Sequence, residues 1–357
     1  MPGSFLKRKG PITGLCQLLP VICLVLLIGG TVNAQQISTQ SQFIYDTAPF
    51  KSCHASTLAQ TKDGLVAAWF GGTEEKNPDV EIWFSREVNG QWLPPVSVAN
   101  GIQQNGTRYP CWNPVLYQYP DGPLLLFYKV GADPVEWWGE LKRSYDQGRT
   151  WSAAEKLPDG ILGPVKNKPV LLKDGRLICP SSTENKTDGR WQIHLEVTKD
   201  QGRTWTKTAP LNDGLRFHII QPSLLLYGGD SLQLVCRSME NRVVSVWSTD
   251  GGKHWQAPDT LSVPNPNSGT DAVTMSNGTQ VLVYNPTERY PGKWGGPRYP
   301  LALAISTDGR NWRPVLTLET EPGEYSYPAI IETAPGQLVI SYTWKREKIK
   351  VWKILVR

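Results

Sequence analysis

Ser144-Tyr145-Asp146-Gln147-Gly148-Arg149-Thr150-Trp151 carries the parts of a tight hairpin in eight residues. The Asp146 carboxylate can accept hydrogen bonds from the N–H groups of a turn, Gly148 can take a conformation other residues resist, and Trp151 can pack the turn onto its blade. The pattern returns in full at 198–205 (TKDQGRTW) and 248–255 (STDGGKHW). Two degenerate copies flank these: 85–92 (SREVNGQW), where Glu87 replaces the Asp, and 306–312 (STDGRNW), one residue short. Trp92, Trp151, Trp205, Trp255 and Trp312 stand 59, 54, 50 and 57 residues apart, the period of a repeated supersecondary unit. The motif is structural rather than catalytic.

A second repeat sets the count. A turn with Gly precedes an apolar run in KDGLVAAW, PDGPLLLFY, KDGRLICP, GGDSLQLVC, SNGTQVLVY and APGQLVISY, which makes six units. Each reads as four short alternating strands without an amphipathic helix, so the chain is expected to be all-β, a single six-bladed β-propeller over residues 35–357. The last unit ends at Arg357 without a box, so its outer strand must come from elsewhere. Phe43-Ile44-Tyr45 is the candidate, and such closure removes an open sheet edge.

Residues 1–34 read as a cleavable signal peptide: Lys7, Arg8 and Lys9, an apolar stretch over 15–28, then Val32-Asn33-Ala34 before Gln35. Cleavage after Ala34 implies a secreted or periplasmic product with no stable membrane insertion. Of 37 basic residues three lie in the leader, so the mature part has 34 against 32 acidic. That scattered, near-neutral balance excludes nucleic acid as a partner. Cys53, Cys111, Cys179 and Cys236 sit in apolar stretches and read as buried thiols, and the four histidines show no metal-ligand spacing. No metal, no other cofactor and a monomer are expected.

In a propeller the innermost strands open at the mouth of the axial channel, so the residues just before the six Gly turns form a ring. They are His54, Trp112 with Asn113, Lys166 with Asn167 and Lys168, Gln221, Asp271, and Tyr325 with Tyr327. The second strands return to the same mouth at Trp69, Lys129, Glu184, Arg237, Asn285, and Trp344 with Lys345 and Arg346. Polar groups next to apolar strand interiors mark a pocket, and amides, aromatic faces and cations converging there suit a sugar, in particular an anionic one.

With its Asp-boxes and six units, residues 43–357 resemble the sialidase superfamily, in its branch of bacterial and plant BNR-repeat, neuraminidase-like proteins. The resemblance implies a substrate carboxylate held by arginines, here Arg237 in VCRS and Arg298 ahead of LALAIS, a Tyr nucleophile at Tyr325 in EYSYP, and an acid/base at Asp79 in NPDVEIWFS. Two positions depart from the family pattern. The first inner strand reads FKSCHAST, with Lys51 and His54 where an Arg stands in the family, and Gln221 occupies the place of the Glu that activates the Tyr. A free Tyr hydroxyl titrates near 10, so another base is needed, and Glu324 and Asp271 are the local candidates.

Three readings follow. The first is an exo-acting sialidase-like glycoside hydrolase on a terminal acidic sugar, with Asp79 as acid/base, Tyr325 as nucleophile and Arg237 with Arg298 as anion clamp. The second is a uronate-directed lyase in which His54 or Tyr325 removes the proton α to a neutralised carboxylate. The third is a propeller that only binds glycan. A glycan is the partner in each.

Overall fold

The computed structural model describes residues 37–356. The signal peptide expected over 1–34 lies outside the described residues. Six antiparallel sheets follow one another along the chain, and their inner strands are Ser52–Thr61, Cys111–Gln118, Val170–Leu171, Ile219–Leu226, Asp271–Thr274 and Tyr325–Ala334. These define blades one to six. Within a blade each strand pairs with its successor, except that in blade one Val96–Ala99 pairs with Glu81–Val88, and that the outer strand of blade six is Ile37–Phe43, running antiparallel to Lys348–Val356 with Ile37 opposite Val356. Closure by the N-terminal segment is thus as expected, but only Phe43 of the expected triplet lies in the strand. Ile44 and Tyr45 instead enter the core, where the Tyr45 ring stacks on Trp69 at 5.3 Å. A second tie across the same seam is the ion pair of Lys353 in blade six with Glu87 in blade one. The residue that replaces the box Asp thus serves ring closure.

The box itself works as read. The Asp146 carboxylate accepts from Thr150 N at 2.8 Å and Thr150 Oγ1 at 2.6 Å, which holds its pKa down at about 2. The short fifth-blade copy does the same through Asp308, with Arg310 N and Asn311 N both at 2.8 Å. One detail differs from the sequence reading: the indole packs onto the preceding blade rather than its own. Trp151 of blade two meets Phe84 of blade one at 5.4 Å, and Trp205 of blade three meets Phe127 of blade two at 6.0 Å. The boxes therefore act as rivets between blades, and the apolar clusters span neighbouring sheets.

Gly148 shows how tight that joint is. Its φ is 85°, and a Cβ there would lie 2.3 Å from Phe84 Cζ. Gly148→Ala is expected to destabilise the fold by about 2–4 kcal/mol, combining left-handed strain with overpacking. Gly160, with a φ of 81° and nothing within 4 Å of its Cβ position, loses only the strain term as alanine. Denaturant midpoints of the two variants would show the difference, and equal shifts would mean the blade contact contributes nothing.

Four inner strands share an irregularity that builds the site. Their ladders slip between His54 and Thr57, Trp112 and Val115, Ile220 and Ser223, and Ser326 and Ala329. Inside each slip one residue turns left-handed: Ala55, Asn113, Gln221 and Tyr327, with φ of 55°, 31°, 55° and 51°. In three of the four a proline follows, Pro114, Pro222 and Pro328, which has no N–H for the ladder. Each bulge breaks the alternation of the strand and re-aims a side chain.

Candidate active site

The four bulges bring His54, Asn113, Gln221 and Tyr327 to the mouth end of the axis. The Tyr327 hydroxyl oxygen accepts from Arg237 Nη1 at 2.8 Å and from Gln221 Nε2 at 3.2 Å, and its ring centroid lies 4.2 Å from that of His54. With both donors fixed on the oxygen, the phenol's own proton is directed elsewhere, and negative charge developing on that oxygen has a guanidinium beside it. Tyr325, the nucleophile expected from the family pattern, is placed differently. It is 1 % exposed and belongs to the apolar cluster shared by blades five and six with Leu301, Ile340 and Tyr342.

Arg237 is the cation of the pocket. It is 2 % exposed, its Nε donates to Asn267 Oδ1 at 2.8 Å, and among the described residues no carboxylate lies within ion-pairing distance of it. Its guanidinium is faced by Trp294 at 5.0 Å, Trp191 at 5.8 Å and Tyr327 at 5.9 Å. Burying a charge without a counter-ion costs several kcal/mol.

The other expected cations are already engaged. Glu324 Oε1 accepts from Arg298 Nη1 and from Arg346 Nε, both at 2.7 Å, and Arg346 Nη1 reaches Glu75 Oε2 at 2.5 Å. Burial pushes the Glu324 carboxyl up, but the two guanidiniums outweigh it and hold it below the usual range. This chain of charges ties blades five, six and one together. Glu324, a local base candidate in sequence, is thus bound between two arginines.

His54 is neutral here. Burial first, then the charges of Arg346, Arg298, Arg237 and Lys166, hold its pKa well below the usual imidazole range. Nδ1 meets Thr343 Oγ1 at 2.9 Å, and among the described residues Nε2 has no hydrogen-bond partner. The unfolded chain takes up a proton at His54 near pH 6.5 that the native state refuses, so its contribution weakens stability as pH falls below that value. The slope reaches about 1.4 kcal/mol per pH unit. Unfolding free energies of wild type and His54→Gln, measured from pH 7 to pH 5, should diverge accordingly. Parallel curves would mean His54 is charged in the fold.

The floor is made of polar ties across the axis. Lys166 Nζ donates to Asn167 Oδ1, Thr270 O and Pro328 O, and burial lowers its pKa to about 7. Asn167 Nδ2 donates to Gln221 O at 2.8 Å, and Asp271 accepts from Ser223 Oγ, Lys168 Nζ and Ile330 N. Asp271 is 1 % exposed, so this base candidate serves the floor. These contacts link blades three to six across the axis.

The remaining sequence candidates divide. Asn113 is a buried residue at a left-handed φ of 31°, and among the described residues its amide has no hydrogen-bond partner. Trp112 forms wall, its Nε1 donating to Gly131 O at 2.8 Å. Trp69 is fully buried in the core, and Lys129, also fully buried, donates to Pro164 O between blades two and three. Asp79 lies in the mouth loop of blade one, yet both its oxygens are bound by Thr73, including Oγ1 at 2.6 Å. Trp294, Trp191, Glu75 and Thr343 were not singled out in the sequence. The signal for Trp294 was available: a Trp-Gly-Gly in the long loop 285–300.

A model of the BNR repeat-like domain matches residues 63–340. No curated protein matches the sequence. Among solved structures, a Dyadobacter fermentans protein of unknown function is 17 % identical with a TM-score of 0.73, over 90 % of this chain and 99 % of that one. Trypanosoma rangeli sialidase is 14 % identical with a TM-score of 0.68, over 88 % of this chain and 59 % of its own length. The K499G mutant of NanB sialidase from Streptococcus pneumoniae is 11 % identical with a TM-score of 0.66, over 88 % and 70 %. These likenesses are of fold. The chain spans under two thirds of the length of the T. rangeli enzyme.

Proposed function

The chain belongs to the BNR repeat-like family, and on that premise we propose that its axial pocket receives the terminal acidic sugar of a glycan and cleaves the glycosidic bond behind it. The observation that carries this reading is Arg237, a buried guanidinium without a carboxylate partner among the described residues, walled by Trp294, Trp191 and Tyr327. A sugar carboxylate would supply the missing counter-charge while its C–H face rests on an aromatic ring. The ties of Lys166 and Asp271 across the axis support exo action, since a barrier at that depth favours entry of a chain end. Tyr327, with its oxygen held by Arg237 and Gln221, is suited to stabilise positive charge developing at the anomeric carbon. The leader expected over residues 1–34 supports an export route, which would bring the protein to its glycan outside the cytoplasm.

A second reading, elimination from a uronate, is favoured by one observation. His54 is a neutral imidazole against the Tyr327 ring, and when Nδ1 donates to Thr343, Nε2 is a base without a partner. The product separates the readings. Incubation with sialylated, uronate-containing and neutral-capped glycans should release a saturated sugar as new reducing ends, without ultraviolet absorbance. An absorbing, 4,5-unsaturated product would replace hydrolysis by elimination, and no product from any acidic glycan would leave only binding.

A further inference from the structure

The mouth holds several carboxylates that are at least partly buried, and among the described residues all but one of these are consumed. Glu324 is shared by Arg298, Arg346 and Ser326, and Glu75 is taken by Arg346. Asp271 lies in the floor, and Asp79 is bound at both oxygens by Thr73. Glu184 is the exception: among the described residues it has neither a hydrogen-bond donor nor an ion-pair partner. It ends the second strand of blade three, Leu177–Glu184, opposite Trp191, the indole that faces Arg237. Two residues earlier on the same strand face, Ser182 Oγ accepts from Gln221 N at 3.2 Å. Glu184 is thereby set on the side of blade three turned toward Gln221, beside the anion site.

Glu184 also lines a second space. A cavity of about 190 Å³ between blades two and three is bounded by Trp137, Trp138, Lys156, Lys207 and Glu184. Trp137 packs edge-on against Trp112 of the pocket wall at 6.0 Å, so the cavity adjoins the wall of the axial pocket. A glycan with its terminal residue at Arg237 would extend its next unit into this cavity, over indole faces that suit a sugar ring. The bond between the two units then lies beside Glu184.

We infer that Glu184 is the acid/base of the reaction and that the cavity between blades two and three holds the sugar being released. The inference rests on the reading of the axial pocket as a hydrolytic site. The Glu184 acid passes its proton to the glycosidic oxygen while the anomeric carbon–oxygen bond breaks and its electron pair stays on that oxygen. Water then adds its oxygen to the anomeric carbon and returns a proton to Glu184, so one water is consumed per bond. Burial raises the Glu184 pKa, Asp133 adds to the rise, and Arg237 opposes both, which favours the protonated form the first step requires.

The test pairs each natural oligosaccharide with the 4-methylumbelliferyl glycoside of the same terminal sugar, using glucuronate, galacturonate and N-acetylneuraminate. The activated leaving group departs without a proton. Glu184→Gln should cleave the oligosaccharide about 10²–10⁴-fold more slowly while largely retaining cleavage of the activated glycoside, and the basic limb of the kcat/KM profile should vanish. Glu184→Asp should restore part of the oligosaccharide activity. Equal losses on both substrates, or none on either, would overturn the assignment of Glu184 and leave the reading of the pocket standing. A wild type inert toward every pair would overturn that reading and this assignment with it.

Discussion

Tyr327→Phe lowers turnover of an acidic glycan by about 10²–10⁴-fold, whereas Tyr325→Phe leaves it close to wild type. The two tyrosines stand two residues apart on one strand, and sequence alone favours the first. The structure separates them. Tyr327 sits inside a bulge at a φ of 51°, with its oxygen bonded to Arg237 and Gln221 and its ring against His54. Tyr325 pairs regularly with Trp344 and packs among Leu301, Ile340 and Tyr342. Phenylalanine at 327 keeps the ring and its contact with His54 but removes the one oxygen on which Arg237 and Gln221 converge. The expected loss therefore falls on kcat, with unfolding midpoints little changed. Full turnover in Tyr327→Phe, or a matching loss in Tyr325→Phe, would displace the chemistry from Tyr327.

The second large effect is on binding. Arg237→Ala should weaken a carboxylate-bearing sugar by about 2–5 kcal/mol, which is about 30- to 5,000-fold in Kd. A neutral sugar should lose far less. The guanidinium holds Asn267 through Nε and Tyr327 through Nη1 at once, and Asn267 Nδ2 in turn holds the backbone of Trp294 at 2.8 Å. Lysine cannot reproduce that planar fork, so Arg237→Lys should recover little. Calorimetric titration with glucuronate, N-acetylneuraminate and galactose measures all of this. Equal losses for charged and neutral sugars would show that Arg237 shapes the pocket without recognising an anion.

Binding also bears on why, of the three pocket arginines Arg237, Arg298 and Arg346, Arg237 is the one without a carboxylate partner among the described residues. Arg298 and Arg346 share Glu324, and His54, where the family pattern has an arginine, is neutral. A ligand with a single negative charge is matched by Arg237 alone. Of the cations read from sequence, Lys168, Arg298 and Arg346 are engaged by carboxylates and Lys129 by a backbone carbonyl. Which cation is unpaired depends on carboxylates brought in from other blades, Glu324 from blade six and Glu75 from the mouth loop of blade one.

The repeats alone determined the propeller, because each Asp-box and each Gly turn is a local device whose hydrogen bonds lie within a few residues, as those of Asp146 and Thr150 do. They determined the blade count, the need for closure by the N-terminal segment, and the mouth positions of His54, Asn113, Gln221 and Arg237. Tertiary structure decided the rest. Two-residue periodicity puts Tyr325 and Tyr327 on one face of an unbroken strand, and only the bulge between Ser326 and Ala329 sends one to the core and the other to the pocket. Trp294 reaches Arg237 from a long loop, Glu75 reaches Arg346 across the closure seam, and Glu184 stands without a partner between two blades. Such relations depend on residues far apart in the chain whose distances are set only when six sheets close into a ring, and no local pattern encodes them.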